Sequence, residues 1–328
     1  MSINDHVSTT APLQYGVPQG SILGPILFSL YMLPLGVLIS RFNHMSYHCY
    51  ADDTQLYISF KATDQSKLLI LKDCLAAIQD WMSQNFLQLN PDKTEVLIIG
   101  PEGIQDEIKH FMGPSSAHFT KVSKNLGVLF DSNLNFEHHI KKVVQTCFFQ
   151  LRNIKKIKSL LTLQDLEKLI HAFISSRLDY CNSLFSTLSC ASLHRLQLVQ
   201  NAAARLLTNT FRRSHITPVL AALHWLPVES RIIFKINVIA YKSIHGLAPD
   251  YISELLIPKP NVRLLRSSNK GLLLVPRTKL KTKGDRAFAV VAPTLWNGLP
   301  LSIKEAESLD AFKSLLKTHL FRRHYGVL

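Results

Sequence analysis

Two adjacent aspartates, Asp52 and Asp53, stand between two runs of strand-forming residues. The run before them is rich in aromatic residues, and over 55–60 polar and apolar residues alternate, which is typical of a half-buried strand. Because Asp tolerates turn geometry and caps nearby backbone N–H groups, the pattern predicts a β-hairpin with both carboxylates at its tip. Two negative charges this close repel each other unless a cation lies beside them. Their oxygen atoms are ligands of the kind that Mg²⁺ prefers.

A solvated turn would explain an arbitrary Asp-Asp pair, so the surrounding sequence has to decide between the two interpretations. Upstream, Gly16 and Gly20 bracket a turn-rich segment whose backbone can approach a ligand closely. Ser21 is the predicted N-cap of a helix that has Pro25 in its first turn. The N-terminus of a helix favours anions such as phosphate. A simple loop-to-helix junction is the alternative interpretation of this segment.

Tyr50-Ala51-Asp52-Asp53, together with Gly16-Val17-Pro18-Gln19-Gly20-Ser21, resembles the reverse transcriptases of non-LTR, LINE-like retrotransposons. The resemblance implies RNA-directed DNA polymerisation by two-metal nucleotidyl transfer, with Asp52 and Asp53 as Mg²⁺ ligands. It also implies contact with the template base and the incoming nucleotide by a second group of residues, namely Gln19, Gly20, Ser21 and Tyr50.

Two later motifs resemble the same family. Residues 90–95 are similar to a turn in which a lysine lies near the departing pyrophosphate, so Lys93 is a candidate general acid or stabiliser of phosphate charge. A turn lysine exposed to water is equally consistent with that segment. Residues 125–131 resemble a hairpin that grips the primer strand, which implies this role for Leu126 and Gly127.

A helix predicted from about Phe136 resembles the thumb, which holds the template–primer duplex by its phosphates. The cations expected to contact the nucleic-acid backbone are Lys141, Lys142, Arg152, Lys155 and Lys156. Residues 137–139, Glu-His-His, are a poor candidate metal cluster, because adjacent side chains of a helix point about 100° apart.

The charge is unevenly distributed. The chain of 328 residues has 37 Lys+Arg and 23 Asp+Glu, a net charge of +14. Residues 1–100 have a net charge of −3, whereas residues 101–328 have a net charge of +17. The basic part predicts a polyanionic partner, with a lysine-rich soluble surface as the alternative.

The cysteines and the N-terminal residues indicate the cellular compartment of the protein. The five cysteines are scattered and form no Cys-x-x-Cys, so we expect reduced thiols and neither a disulfide framework nor a zinc knuckle. The N-terminal residues have no secretory pattern, which predicts a nuclear or cytoplasmic protein that is not secreted. Residues 22–39 carry no charge, but Pro34 is expected to break a membrane-spanning helix, so a buried helix and no membrane contact are predicted.

The patterns predict an α+β fold. The resemblance implies a partial polymerase palm, an antiparallel sheet with helices, over 1–135 and a thumb-like helical region over 136–187. A basic, mostly helical region is expected over 188–328. Within these regions an amphipathic helix is predicted over 66–84, an irregular segment over 101–120 and a final helix over about 309–321.

The resemblance further implies an essential aspartate on a strand upstream of Gly16. Asp5 is the only aspartate there, in a stretch without strand character, and the fingers and endonuclease regions of the family are not recognisable. We therefore expect the isolated chain to be inactive, although the family activity would use an RNA template, a DNA primer, deoxynucleotides and Mg²⁺. The alternative function is a non-catalytic, basic nucleic-acid-binding remnant of a mobile element.

Overall fold

In a computed structural model the chain has an α+β fold and divides into two compact units, residues 1–120 and 121–328. The structure describes residues 2–3, 6–7, 16, 20–61, 64, 66–112, 118–260, 271–279 and 281–326. In this part of the chain the strands form four separate two-stranded sheets. The finer predicted division at 135 and 187 remains a prediction.

Among its described residues the first unit contains three α-helices and three pairs of strands. Its elements in chain order are β1 (Ser2–Ile3), β2 (His6–Val7), α1 (Gly24–Ile39), β3 (Met45–Tyr50), β4 (Asp53–Ile58), α2 (Ser66–Gln84), β5 (Glu95–Leu97), α3 (Glu102–Met112) and β6 (His118–Thr120). The β1–β2 and β3–β4 pairs are antiparallel, whereas β5 and β6 are parallel. The main apolar cluster joins α1, β3 and α2 through Met32, Leu35, Ile39, Met45, Cys74 and Ile78.

Helix α1 differs from its prediction in three respects. It is not a buried helix, because apolar side chains such as Leu30 and Leu33 are exposed. It continues through Pro34, which was expected to break it. Proline has no backbone N–H, so the carbonyl of Leu30 loses its helical hydrogen bond. Leu30 is exposed, whereas Leu35 and Ile39, which follow the proline, are fully buried. The N-cap is Leu23 rather than Ser21, but the Ser21 hydroxyl still accepts a hydrogen bond from the Gly24 N–H at 3.1 Å.

The remaining elements of this unit agree only in part with those predicted from the sequence. Helix α2 has the predicted bounds, and it buries Leu68, Cys74 and Ile78. The prediction that 101–120 is irregular is wrong, because this segment contains α3 and β6. Asp5 lies outside the described residues, but β1 and β2 flank it, so the expectation of no strand character around it is wrong.

The second unit begins with one hairpin and is otherwise helical. Its main elements are β7 (Val122–Asn125), β8 (Val128–Asp131), α4 (Glu137–Ile157), α5 (Leu163–Ile170), α6 (Ser176–Asp179), α7 (Cys190–Thr208), α8 (Thr217–Ala222), α9 (Val228–Ile244), α10 (Asp250–Ser253), α11 (Lys281–Gly284), α12 (Phe288–Asn297), α13 (Leu301–Lys304) and α14 (Leu309–Tyr325). A π-helical turn, His171–Ser175, joins α5 to α6.

One apolar core runs through this second unit, from Val128 on β8 to Leu320 on α14. In its C-terminal part Phe312 stacks on Tyr241 and Trp296, with ring centroids 4.4 and 5.8 Å apart. The hydroxyl of Tyr241 donates to the carbonyl of Ala306 at 2.8 Å, which satisfies a polar group that is fully buried.

Ion pairs and buried polar contacts also join the helices of this unit. Asp179 at the end of α6 accepts two hydrogen bonds from Arg231 of α9. Glu137 at the start of α4 forms an ion pair with Arg195 of α7. Among the described helices none is both long and apolar enough to cross a membrane.

Candidate active site and nucleic-acid interface

The predicted hairpin at the two aspartates is present. Strands β3 and β4 pair in the register Tyr50↔Asp53, so Ala51 and Asp52 form the two-residue turn. Ala51 has a φ of +53°, in the left-handed region that such tight turns require. The side chains of both aspartates are exposed. The register therefore presents two neighbouring carboxylates to solvent at one end of the hairpin.

The inner face of this hairpin packs on helices. Met45 and Tyr47 of β3 and Leu56 and Ile58 of β4 belong to the apolar cluster of α1 and α2. A Cβ at Gly36 of α1 would lie 2.5 Å from the hydroxyl oxygen of Tyr47. Since real Cβ contacts are longer than this, the close approach of helix and hairpin depends on glycine at that position.

The outer face of the hairpin carries aromatic side chains. His48 and Tyr57 stack with ring centroids 5.4 Å apart, and the His48 Nε2 lies 3.2 Å from the Tyr57 hydroxyl. Tyr50, next to the turn, is 68% exposed. Tyr50, Asp52 and Asp53 are therefore brought together on one exposed hairpin end, and their part in nucleotide chemistry remains a prediction.

The upstream loop is described only in part. Gly16 and Gly20 have φ values of +79° and +89°, which non-glycine residues rarely adopt. Gly20 and Ser21 precede the N-terminus of α1, whereas Gln19 lies outside the described residues. The proposed contact of these residues with a nucleotide remains a prediction.

Lys93 lies in a 3₁₀ turn, Pro91–Lys93, immediately before β5. The turn is held by Asn90, whose side-chain oxygen accepts from the Asp92 N–H at 3.0 Å and whose carbonyl accepts from the Thr94 hydroxyl at 2.8 Å. The Lys93 side chain is exposed, and in the described part of the chain no hydrogen bond or ion pair joins it to Asp52 or Asp53.

The two aspartates fit only part of a two-ion magnesium site. Their oxygens suit Mg²⁺, which takes one or two carboxylates and completes its coordination with water and substrate phosphates. Across the described ranges, no group of three or more His, Cys, Asp or Glu side chains is arranged to hold a metal. The described residues thus supply one pair of neighbouring carboxylates and no third ligand beside them.

The second predicted hairpin is also present, and a distant tyrosine holds its turn. Leu126 and Gly127 form the turn between β7 and β8, with φ values of +44° and +83°. The Tyr180 hydroxyl donates to the Leu126 carbonyl at 2.5 Å, and a Cβ at Gly127 would lie 3.6 Å from the Tyr180 ring. Sequence reasoning missed Tyr180 because 54 residues separate it from Leu126.

Asp131 fixes the connection from this hairpin to α4. Its buried carboxylate accepts hydrogen bonds from the N–H groups of Asn133, Asn135 and Phe136 at 3.0, 3.1 and 2.6 Å. The carbonyls of the same loop accept from Lys283 and Arg286, near the other end of the unit. The basic C-terminal region therefore contacts the start of the predicted thumb helix.

The five cations predicted to contact the nucleic-acid backbone are all exposed on α4. None of them has an ion-pair or hydrogen-bond partner among the residues that the structure describes. Lys158, just after this helix, differs from them, because it donates to the Leu206 carbonyl at 2.5 Å and to the Asn209 side chain. The surface of α4 thus carries positive charge that the fold itself does not neutralise.

His139 on the buried side of α4 forms a hydrogen bond within the protein. Its Nδ1 accepts a hydrogen bond from the Leu129 N–H at 3.3 Å, and its ring lies 5.6 Å from that of Phe185. Burial lowers the pKa of His139. The neutral imidazole is therefore the form that connects α4 to β8.

Residues 2–128 match the family model for reverse transcriptase (RNA-dependent DNA polymerase). The match covers both aspartates, the upstream loop and Lys93, so this part of the chain is similar to reverse transcriptases. The resemblance to non-LTR, LINE-like reverse transcriptases is confirmed by curated relatives from Drosophila transposons.

Two of these relatives show how much of the chain is similar to known polymerases. The chain is 25% identical over 223 residues to the probable RNA-directed DNA polymerase from transposon BS of Drosophila melanogaster, over 63% of this chain and 24% of that protein. It is 27% identical over 150 residues to the RNA-directed DNA polymerase from mobile element jockey of the same organism, over 44% and 16%. The chain therefore spans a quarter or less of the length of these relatives. No solved structure matches it.

Proposed function

We propose that this chain serves RNA-directed DNA synthesis, with the first unit contributing carboxylates and the second unit holding nucleic acid. The observation that carries the proposal is the β3–β4 hairpin, which exposes Asp52 and Asp53 at its end within the segment matched to reverse transcriptases. The substrates would be an RNA template, a DNA primer and deoxynucleotides, in the nucleus or the cytoplasm.

In this proposal each predicted residue keeps its role. Asp52 and Asp53 hold Mg²⁺, which in polymerases activates the attacking 3′-oxygen and stabilises the leaving phosphate. Tyr50, Gln19, Gly20 and Ser21 lie against template and nucleotide, and Lys93 acts on the departing pyrophosphate. The turn at 126–127 positions the primer. We further propose that residues 1–135, 136–187 and 188–328 act as partial palm, thumb and basic C-terminal region.

We propose that this polypeptide by itself is inactive. Two-metal transfer needs ions about 3.5–4 Å apart, and two adjacent carboxylates on one hairpin do not position a pair of ions. The test is Mg²⁺-dependent primer extension on poly-rA with oligo-dT, comparing the chain with Asp52→Ala. We expect no extension by either protein. Extension that the substitution abolishes would overturn the predicted inactivity and establish an enzyme.

A second candidate function is non-catalytic binding of nucleic acid. It is favoured by the charge of residues 121–328, which carry 31 Lys+Arg and 12 Asp+Glu, a net charge of +19. Phosphate contacts release counterions, so binding should weaken steeply as the salt concentration rises. Salt-dependent binding that Asp52→Ala leaves unchanged, without extension, would favour this function. If neither binding nor extension occurs, both candidate functions fail.

A further inference from the structure

Two phenylalanines are exposed in the middle of the basic helix α4. Phe148 is 36% exposed and Phe149 is 52% exposed, and neither belongs to the core of the second unit. Apolar aromatic side chains on a helix surface are unfavourable in water unless something covers them. The buried side of the same helix is formed by other residues, Ile140, Cys147, Leu151 and Ile154.

The two rings lie in line with the cations of this helix. At 100° per residue, Phe148 and Phe149 share the exposed side with Lys141 and Lys142, two turns earlier, and with Arg152, one turn later. Lys155 and Lys156 continue the same side. We call this set, 141–142, 148–149, 152 and 155–156, the α4 stripe. It extends about 22 Å along the helix at 1.5 Å per residue.

The acidic side chains of α4 and of the neighbouring helix α5 have partners of their own. Glu137, the only acid on α4, is paired with Arg195. On the neighbouring helix α5, Asp165 bonds to Thr162 and Lys168, and Glu167 lies 3.6 Å from His171. The stripe therefore has a positive field on both sides of the rings, and its complement is a polyanion with flat apolar groups between its charges.

We propose that the α4 stripe binds single-stranded nucleic acid, with unpaired bases stacked on Phe148 and Phe149 and phosphates held by the flanking cations. Base–aromatic stacking next to a positive surface is how proteins hold single strands without sequence preference. The bases of a duplex are already stacked and paired, so these rings would add little to duplex binding. The proposal deepens the nucleic-acid binding proposed above and rests on it.

The arrangement favours nucleic acid over a lipid surface. An interfacial amphipathic helix has an apolar face that enters the membrane and cations on its polar face. Here the cations stand before and after the rings along one stripe, and the opposite face of the helix is buried in protein. Inserting the rings into a bilayer would carry the cations into it as well.

The experiment measures fluorescence anisotropy of labelled single-stranded RNA, single-stranded DNA and a matched duplex with the full chain. For Phe148→Ala/Phe149→Ala we expect single-strand affinity to fall at least about fivefold, since each stacked base contributes at least that factor. Duplex affinity and the slope of log affinity against log salt should stay unchanged. Phe148→Tyr/Phe149→Tyr should restore single-strand binding, whereas Phe148→Leu/Phe149→Leu should not.

Three further variants distinguish the effect of stacking from that of charge and from that of losing any exposed ring. Lys155→Gln/Lys156→Gln should weaken single-strand and duplex binding alike and reduce the single-strand salt slope by about 1 to 1.5. The same change at Arg212 and Arg213, exposed after α7, should have a smaller effect. Phe86→Ala removes a ring that is 98% exposed in the first unit and should leave binding unchanged.

Several results would overturn the stacking proposal while leaving the proposed function intact. One is equal loss of single-strand and duplex affinity in the double alanine variant, and another is no loss of either. Rescue by leucine, or binding to vesicles of anionic lipid that depends on both rings, would point to an apolar contact instead. If the unchanged chain binds no nucleic acid at low salt, the proposed function fails as well.

Discussion

The two units of this chain differ in charge and in how they bury apolar surface. Residues 1–120 have a net charge of −5 and two small apolar clusters, whereas residues 121–328 have a net charge of +19 and one core that runs through the unit. Helix α1 of the first unit is apolar on all sides. Its exposed side chains include Ile26, Leu27, Leu30, Leu33 and Val37, and Ile22 and Leu23 just before it are exposed as well.

The unit with the candidate catalytic residues is thus not the unit with the larger apolar core. The unit that carries the two aspartates leaves apolar surface on α1 in contact with water, although such a helix is normally buried on most sides. The unit that carries the cations encloses one continuous core and leaves positive charge exposed, although it too exposes apolar side chains such as Phe148 and Phe149. We therefore expect the second unit to unfold as its own cooperative transition.

The largest expected effect is in the core of the second unit. Phe312→Ala removes a fully buried ring that stacks on Tyr241 and Trp296. We expect the second unit to lose about 3–5 kcal/mol of unfolding free energy. The measurement is urea unfolding followed by tryptophan fluorescence in a Trp81→Phe background, so that the signal comes from the second unit. The contribution of Trp81 is the difference between the curves measured with and without this residue. If that contribution shifts as much as the signal of the second unit does, the two units unfold together.

The free energy of unfolding should depend on pH because of His139. Its folded pKa is lowered by burial, so the unfolded chain binds a proton at a higher pH than the folded chain does. The free energy of unfolding should be unaffected above the ordinary histidine pKa of about 6.5. It should then decrease as pH falls below that value, and level off below the folded pKa.

His139→Asn is the matched variant for this prediction, because its side-chain oxygen can still accept from the Leu129 N–H without taking a proton. The loss of stability between about pH 7.5 and 5.5 should be smaller in this variant than in the unaltered chain. His319 on α14 also has a lowered pKa, from burial and from the charge of Arg323, so part of the loss should remain. Identical pH profiles would show that His139 does not contribute.

A smaller effect is expected at the second hairpin. Tyr180→Phe keeps the ring beside Gly127 but removes the hydroxyl that bonds to the Leu126 carbonyl. The second unit should lose about 1 kcal/mol, the usual net contribution of one hydrogen bond. Faster hydrogen exchange at the N–H groups of β7 and β8 should accompany the loss. If exchange at this hairpin does not change, Tyr180 does not hold its turn.

The sequence predicted elements whose signals are local. Alternation and an Asp-Asp turn were enough for the β3–β4 hairpin, and helical periodicity was enough for α2 and α4. Helix α3 was missed although Ile104, Ile108 and Phe111 recur at helical spacing, so its signal was present in the sequence. Pro34 was given too much weight, since the loss of one donor is tolerated where the freed carbonyl is close to solvent.

Contacts between distant residues account for most of what the sequence did not show at the site. No local pattern indicates that Tyr180 reaches Leu126, or that Arg286 reaches the loop before α4. The cations were predicted from their charge and from the resemblance of their helix to a thumb. Neither shows that Lys158 is bonded to the end of α7 whereas Lys155 and Lys156 are exposed. Position in the folded unit makes that distinction.

The smallest expected effect on stability concerns the exposed side of α1. Leu30→Gln/Leu33→Gln changes two side chains that are 57% and 63% exposed. The free energy of unfolding should change by no more than about 0.5 kcal/mol, as for other surface positions. Self-association, measured by light scattering against concentration, should decrease, because the apolar surface in contact with water becomes smaller.

The matched control for that variant is Leu35→Gln on the same helix, where the side chain is fully buried. This change should destabilise the first unit by several kcal/mol, because it leaves an amide without partners inside the cluster of α1, β3 and α2. If Leu30→Gln/Leu33→Gln destabilises the unit as much as Leu35→Gln does, then α1 is covered in solution by another part of the protein or by a second copy. The contrast between a self-sufficient second unit and an uncovered first unit would then be wrong.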